Sequence, residues 1–172
     1  MNQVRRQYET NVFGLLRMCQ LVLPGMRAQG FGRVVNLSSM GGRLTFPGAG
    51  IYHASKHAVE AISDALRFEV RGFGDTAVGS MGEDVSSSGP YAGFDAGVAR
   101  VTRENYERGP LARLGGGPET VAGTIERAIS ASPPRTRYTV TPSATLLISA
   151  RRIMPDRAWD GLLRFSYPQP GK

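Results

Sequence analysis

The sequence predicts an α/β domain that is rich in helix, and three observations support this prediction. Apolar residues recur at three- and four-residue intervals between Val4 and Met26, which is the period of one face of a long amphipathic helix. A second helical pattern runs from about Tyr52 to Phe73. Between the two, Arg33–Ser38 is a short run with adjacent β-branched residues, which is typical of a buried strand.

The first helix is expected to bury Cys19 and to kink or end at Pro24, because proline cannot donate a backbone hydrogen bond. Gly30 and Gly32 then frame a turn that leads into the strand. The strand is followed by a loop, residues 40–50, that carries four glycines. The loop leads directly into the second helix.

The second helix has two different faces. The larger apolar face consists of Val59, Ile62, Leu66, Val70 and Phe73. The other face carries only small side chains, Ala54, Ala58, Ala61 and Ala65. Packing in the core explains both faces, and a helix-to-helix contact between two chains explains them equally well.

The C-terminal part has weaker signals. After a glycine- and serine-rich stretch, Pro118 suits the first turn of a helix, and residues 135–141 alternate as a strand does. Two short helices are expected at residues 143–152 and 155–164. Their predicted apolar anchors are Trp159, Leu162, Leu163 and Phe165.

Length and charge restrict the class of protein. A chain of 172 residues with one cysteine makes one ordinary domain without an internal disulfide, which favours a reducing, cytoplasmic setting. The net charge of +7 suggests nucleic-acid binding, but the arginines are scattered and no aromatic residues interleave with a basic run. We therefore predict no nucleic-acid partner. The longest uncharged apolar stretch, residues 144–150, is too short to span a membrane.

Tyr52 and Lys56 carry the most specific chemical signal. They are four residues apart on a predicted helix, so their side chains project side by side. An ammonium roughly 5 Å from a phenol, at an effective dielectric near 20, favours the phenolate by about 3 kcal/mol, or roughly two pKa units. Tyr52 is therefore a candidate general acid/base near neutral pH.

Two further polar residues complete the candidate site. Ser39 follows the predicted strand, and a hydroxyl at a strand end can donate to a carbonyl oxygen that gains negative charge. Asn11 is a polar residue on an otherwise apolar helix face, where it could hold a water for proton relay. A buried structural amide is the alternative interpretation of Asn11.

Asn11, Ser39, Tyr52 and Lys56, within TNVFG, VVNLSSMGG and YHASKHAVEA, resemble the active-site tetrad of the short-chain dehydrogenase/reductases. The resemblance covers most of the chain and is greatest to hydroxysteroid- and retinol-dehydrogenase-like members. It implies a partial Rossmann-like fold, the C-terminal portion of a doubly wound parallel sheet. It also implies hydride transfer between NAD or NADP and an alcohol or ketone, with steroid-, retinol- or other lipid-like compounds as the expected substrates. In this reaction Tyr52 and Lys56 would bind the cofactor, and Lys56 would bond the nicotinamide ribose.

The chain departs from the pattern of that family in two places. The first four strands, with the glycine-rich turn that holds the cofactor pyrophosphate, would precede Met1, and the region of the sixth strand is missing after Gly74. We therefore expect one truncated domain over residues 1–172. Its expected parts are a catalytic core (1–74), mobile substrate-side loops (75–117), and C-terminal helices and strand (118–172).

The sequence leaves one alternative open and argues against another. One is a catalytically silent chain that pairs with a full-length relative, so that a homo- or hetero-oligomer forms through the two long helices. The other is a zinc site at His53 and His57, which also lie four residues apart. No third ligand lies nearby in the sequence, so both histidines are interpreted as flanking helix residues and no metal is predicted.

Overall fold

The computed structural model describes residues 1–72 and 114–168, together with positions 97, 100, 101, 103 and 104. Most of the predicted substrate-side loops at 75–117 lie outside the described residues. The described α-helices are α1 (Asn2–Tyr8), α2 (Leu15–Gln29), α3 (Gly50–Glu69), α4 (Pro118–Ser130), α5 (Pro142–Ile153) and α6 (Asp156–Ser166). A π-helical turn, Glu9–Gly14, joins α1 to α2, and a short 3₁₀ turn, Met40–Gly42, precedes α3.

The first predicted helix is therefore one continuous helical segment with a wider turn in its middle. Val12 in the π-helical turn and Cys19 in α2 are buried, as the apolar period predicts. Burial also raises the pKa of the Cys19 thiol. Pro24 does not end the helix, which continues to Gln29 and stops at Gly30. Gly30 has a φ of 68°, a left-handed conformation that glycine adopts at little cost.

The second predicted helix, α3, begins at Gly50 and ends at Glu69, so it starts two residues earlier and ends four residues earlier than its pattern indicates. Val59 is 1% exposed at its centre, which confirms the apolar face there. Asn36 donates from Nδ2 to the Ser63 hydroxyl at 2.9 Å in the interior, which ties the segment before the 3₁₀ turn to α3.

The predicted strands at 33–38 and 135–141 are not formed as strands within the described part of the chain. A strand exists only where its backbone groups pair with a neighbour, and neither segment pairs with the other. Side chains hold them instead. Arg33 donates to the Ala131 carbonyl at 3.4 Å, and Arg137 donates to Glu60 and Asp64 on α3. The described residues thus form helices of the expected α/β fold, but they form no sheet.

The C-terminal helices α5 and α6 lie close to their predicted positions. Thr141 caps α5 by accepting a hydrogen bond from the Ala144 backbone N–H at 3.2 Å. Of the four predicted anchors, Trp159 is buried and Leu163 is half-buried, but Leu162 and Phe165 are exposed. No helix in the described ranges combines the length and the apolar character needed to cross a bilayer.

An ion-pair cluster fastens residues 134–141 to α3. Arg137 binds Glu60 Oε2 at 2.9 Å and both Asp64 carboxylate oxygens at 2.6 Å, and Arg43 also reaches Glu60 at 3.3 Å. Burial raises the pKa of Asp64, but the hydrogen bonds and charges of Arg137 and Arg67 outweigh this and lower it. Arg137 is therefore the hub of the cluster.

Replacing Arg137 by glutamine is expected to lower the free energy of unfolding by about 1–2 kcal/mol, because the buried Glu60 would keep a single ion-pair partner, Arg43, among the described residues. Arg67→Gln is the matched control, since Arg67 pairs with Asp64, whose side chain is 46% exposed, rather than with the buried Glu60, and should cost about 0.5 kcal/mol or less. Urea unfolding measures both. Equal losses in the two variants would contradict the role of Arg137.

Candidate active site

Tyr52 and Lys56 lie one turn apart at the beginning of α3, and both are buried. The Lys56 ammonium is 5.8 Å from the centroid of the Tyr52 ring. It donates a hydrogen bond to the backbone carbonyl of Leu37 at 3.1 Å. Burial lowers the pKa of Lys56, because removing an ammonium from water disfavours its charged form. The Leu37 carbonyl offsets part of that cost.

Ser39 begins the 3₁₀ turn that leads away from the Leu37 segment. Its backbone is extended (φ −149°, ψ 165°), and its hydroxyl oxygen accepts a hydrogen bond from the Gly41 N–H at 3.1 Å. This cap uses the oxygen as an acceptor and leaves the hydroxyl proton for donation elsewhere. Ser39 is also buried.

Two glycines let the Ser39 turn approach α3. A Cβ atom at Gly42 would lie 2.7 Å from Ser38 Oγ and 2.8 Å from the Lys56 carbonyl oxygen, and one at Gly41 would clash with the His53 ring. Larger residues would push the turn away from the helix. Ser39 therefore lies within a stretch that contacts Lys56 at both ends. The Leu37 carbonyl accepts a hydrogen bond from the Lys56 ammonium, and Gly42 packs against the Lys56 backbone carbonyl.

Asn11 joins the site through a residue that the sequence analysis did not single out. Its side-chain Nδ2 donates to the Ser55 hydroxyl at 3.0 Å, and Ser55 donates to the Tyr52 carbonyl at 2.7 Å. The half-buried Asn11 amide is thus hydrogen-bonded to a side chain of α3. This contact favours the alternative interpretation of Asn11 over a direct role in proton relay for its Nδ2 group.

His53 was also interpreted only as a flanking helix residue, but its side chain on α3 is buried and binds the loop that precedes the helix. Its Nδ1 accepts a hydrogen bond from the Phe46 backbone N–H at 3.2 Å, and its ring is 5.7 Å from that of Tyr52. The pKa of His53 is lowered from 6.5 to about 4, first by burial and second by the charge of His57. A buried ring that must accept a hydrogen bond resists protonation.

Protonation of His53 is expected to destabilise the fold. The unfolded chain binds this proton below its ordinary pKa of 6.5, whereas the folded chain does so only near 4. Stability is therefore complete above about pH 6.5 and falls as the pH drops to about 4, by about 3 kcal/mol in total. Urea unfolding at a series of pH values in this window measures the loss.

His53→Gln should remove most of this pH dependence, whereas His57→Gln should retain most of it, because burial is the larger cause of the His53 shift. If both variants kept the wild-type profile, other groups would be responsible for the acid sensitivity. In the described part of the chain, no three His, Cys, Asp or Glu side chains gather where they could hold a metal ion.

An aromatic cluster connects this loop to the C-terminal helix. Phe46 packs with ring centroids at 6.0–6.1 Å from Trp159 and Tyr167, and edge-on to His53 at 6.0 Å. The Trp159 indole N–H donates to the Thr45 carbonyl at 3.4 Å. The loop between Ser39 and Tyr52 is therefore held on one side by α3 and on the other by α6.

Comparisons with known proteins identify the family of the chain. The family model for short chain dehydrogenases matches residues 1–80. The chain is 35% identical over 173 residues to an NADPH-dependent 3-dehydrocapnine reductase of Ornithobacterium rhinotracheale, covering 92% of this chain and 60% of that protein. It is 48% identical over 71 residues to a 3-ketodihydrosphingosine reductase of Bacteroides thetaiotaomicron, covering 41% of this chain and 26% of that protein.

The fold has a solved counterpart as well. A short-chain dehydrogenase from Streptomyces avermitilis superposes with a TM-score of 0.71 and 27% identity, covering 96% of this chain and 61% of that one. The chain belongs to the short-chain dehydrogenase/reductase family. It spans about three fifths of the length of the relatives that match along most of it.

Proposed function

We propose that the chain carries the catalytic part of an NAD(P)-dependent oxidoreductase that reduces a ketone of a lipid-like substrate. The observation that carries the proposal is the placement of Lys56, whose buried ammonium lies 5.8 Å from the centroid of the Tyr52 ring. A positive charge beside a phenol is the arrangement that an acid/base tyrosine requires.

Each member of the tetrad has a role in this proposal. Tyr52 donates its phenolic proton to the oxygen of the ketone as negative charge develops there. Lys56 favours the phenolate that remains, which speeds the proton transfer. Ser39 donates its free hydroxyl proton to the same oxygen and orients it. Asn11 supports the turn that carries Tyr52 by donating a hydrogen bond to Ser55.

The residues present are suited to binding the nicotinamide half of NAD(P)H. When bound, NAD(P)H supplies the hydride. Lys56 and Tyr52 would hold its nicotinamide ribose, because an ammonium and a phenol are suited to ribose hydroxyls and both side chains emerge at the same end of α3. The sequence contains no glycine-rich turn of the kind that binds a pyrophosphate, so this chain contributes only the nicotinamide side of the site.

The two relatives with named reactions guide the choice of substrate and cofactor. Both names denote reduction of a keto compound, and one of them specifies NADPH. The second relative is 48% identical over 71 residues, although the alignment covers only 26% of that protein. We therefore propose 3-ketodihydrosphingosine as the first substrate to test and NADPH as the first cofactor.

The test has two readouts, thermal stability with NADPH or NADH and oxidation of NADPH in the presence of 3-ketodihydrosphingosine. Stabilisation by either cofactor together with ketone-dependent oxidation supports the proposal. A chain that neither cofactor stabilises and that oxidises no NADPH contradicts it. Lys56→Met should lose both readouts, whereas Arg152→Met on α5 should keep them, since Arg152 is exposed and takes no part in the site.

A second candidate is a catalytically silent chain that dimerises with a longer relative. Large apolar side chains on the outer face of the first helical segment favour it, since Phe13, Met18 and Leu21 are all more than half exposed. The small side chains of α3, Ala54, Ala61 and Ala65, are exposed too. Light scattering of the chain alone and mixed with a full-length relative tests this, and Met18→Lys should abolish the association. A mixture that stays monomeric contradicts it.

A further inference from the structure

Ser55 is the most completely buried polar residue near the candidate site, with 0% exposure. Its hydroxyl donates to the Tyr52 carbonyl at 2.7 Å and accepts from Asn11 Nδ2 at 3.0 Å. Ser55 thus connects two segments that are 44 residues apart in the sequence, the π-helical turn and the first turn of α3. Ser55 is not one of the four residues of the candidate tetrad.

We propose that Ser55 is a positioning residue that fixes Tyr52 relative to Lys56 by joining the first turn of α3 to Asn11. This inference rests on the proposed function for its catalytic meaning, because it is useful only if Tyr52 is the acid/base. The geometry that carries it does not depend on a cofactor or a substrate. The hydrogen bonds of Ser55 go to Tyr52 and Asn11, whereas Lys56 Nζ bonds the Leu37 carbonyl.

The direction of the hydrogen bonds follows from the chemistry of the groups. A hydroxyl has one proton, and Ser55 gives it to the Tyr52 carbonyl, so its oxygen can only accept from Asn11. The Asn11 amide must then present its NH₂ group, because its carbonyl oxygen would meet a second acceptor. Each partner therefore fixes the orientation of the next.

The same bonds act on the backbone that carries Tyr52. A serine that bonds the carbonyl three residues earlier competes with the helix's own N–H and bends the turn slightly. Here the turn concerned runs from Tyr52 to Lys56, so its shape sets the separation of the phenol and the ammonium. Removing the Ser55 hydroxyl lets this turn relax and leaves Asn11 Nδ2 without this partner.

The wider turn at Glu9–Gly14 supplies the other end of the connection. A π-helical turn contains an extra residue, so side chains around it point in directions that a regular helix would not give them. Such turns occur frequently at functional sites. Val12 is buried beside Asn11, which anchors this turn in the interior. Asn11 is therefore positioned both by the buried turn that carries it and by its hydrogen bond to Ser55.

The chain offers a matched control on the same helix. Ser63 is also buried, at 3% exposure, and its hydroxyl also accepts from an asparagine amide, Asn36 Nδ2, at 2.9 Å. It lies eight residues beyond Ser55, or about 12 Å along the helix. Ser63→Ala removes the same kind of hydrogen bond far from Tyr52. Both alanine variants should lose similar stability.

The test measures ionisation of the Tyr52 phenol by ultraviolet difference absorbance across alkaline pH, with Tyr52→Phe subtracted to isolate that residue. In Ser55→Ala, lengthening the ammonium-to-phenol distance from about 5 to 7 Å at a dielectric near 20 would raise the midpoint by about 0.7 pH unit. Ser63→Ala should leave the midpoint unchanged. Asn11→Ala should raise it in the same direction, and the double variant Asn11→Ala/Ser55→Ala should add little more.

Equal shifts in the two serine variants, or no shift in Ser55→Ala and Asn11→Ala, would overturn the proposal. If Ser55→Ala does not fold, the comparison of Asn11→Ala with Ser63→Ala tests the proposal instead. Failure of the proposed function is distinguishable, because the titration requires no turnover. A chain without NADPH oxidation can still show the selective shift, and an active chain can lack it.

Discussion

Tyr52→Phe is expected to lower kcat for NADPH-dependent ketone reduction by about 10³-fold, within the 10²- to 10⁴-fold range of general acid/base catalysis. The substitution removes only the phenolic oxygen and keeps the ring that packs against His53 at 5.7 Å. The KM for the ketone should change little, since the ring contacts persist. Steady-state rates over a range of substrate concentrations separate the two parameters.

Tyr138→Phe is the control for that prediction. The Tyr138 hydroxyl accepts a hydrogen bond from the Arg135 backbone N–H at 2.9 Å on the segment before α5, outside the tetrad. Its removal should change kcat by less than about twofold, because surface substitutions have small effects. Comparable rates in wild type and Tyr52→Phe would show that another group supplies the proton. Tyr52 would then be a packing residue only.

Trp159→Ala is expected to lower the free energy of unfolding by about 3–5 kcal/mol, which is the usual cost of truncating a buried tryptophan. Trp159 is 4% exposed, packs at 6.1 Å from the Phe46 ring and donates to the Thr45 carbonyl. The Arg151 guanidinium also lies over its ring at 5.6 Å. Urea unfolding followed by circular dichroism measures the change.

Phe165→Ala on the same helix is the matched control, because Phe165 is 93% exposed and should change stability by less than about 0.5 kcal/mol. The loss in Trp159→Ala should extend to the loop that holds Ser39, since Phe46 would lose one of its aromatic neighbours. Equal losses in the two variants would show that α6 is not fastened through Trp159.

The helices could be predicted well because their signals are local. The apolar period places Val12, Cys19 and Val59 in the interior, and all three are buried. Pro118 marks the start of α4 because its ring fixes a φ angle that suits the first helical turn. Phe165 was wrongly predicted as an anchor, because an apolar residue type does not say which neighbour will cover it.

The sheet and the π-helical turn could not be predicted in the same way. Strand formation at residues 33–38 depends on a partner strand, which local sequence does not supply. The π-helical turn leaves the apolar spacing at Val12 and Cys19 almost unchanged, so the pattern gives no sign of it. Pro24 was expected to disturb the helix and did not end it.

Spacing and family resemblance predicted the candidate tetrad, but they did not predict the residues that contact it. Tyr52 and Lys56 lie side by side because four residues complete a helical turn. Ser55 and His53 belong to the same stretch, yet their partners, Asn11 and the Phe46 backbone, come from other segments. Only the folded chain brings these groups together, so no spacing rule identifies them.

The π-helical turn at Glu9–Gly14 also has a consequence for comparing this chain with its relatives. Because such a turn accommodates one additional residue, a relative with a regular helix here would be one residue shorter. An ungapped alignment would then rotate every side chain before the turn by about 100°, pairing inward residues with outward ones. Deleting one residue between Glu9 and Gly14 should therefore restore a straight helix and direct Asn11 away from α3.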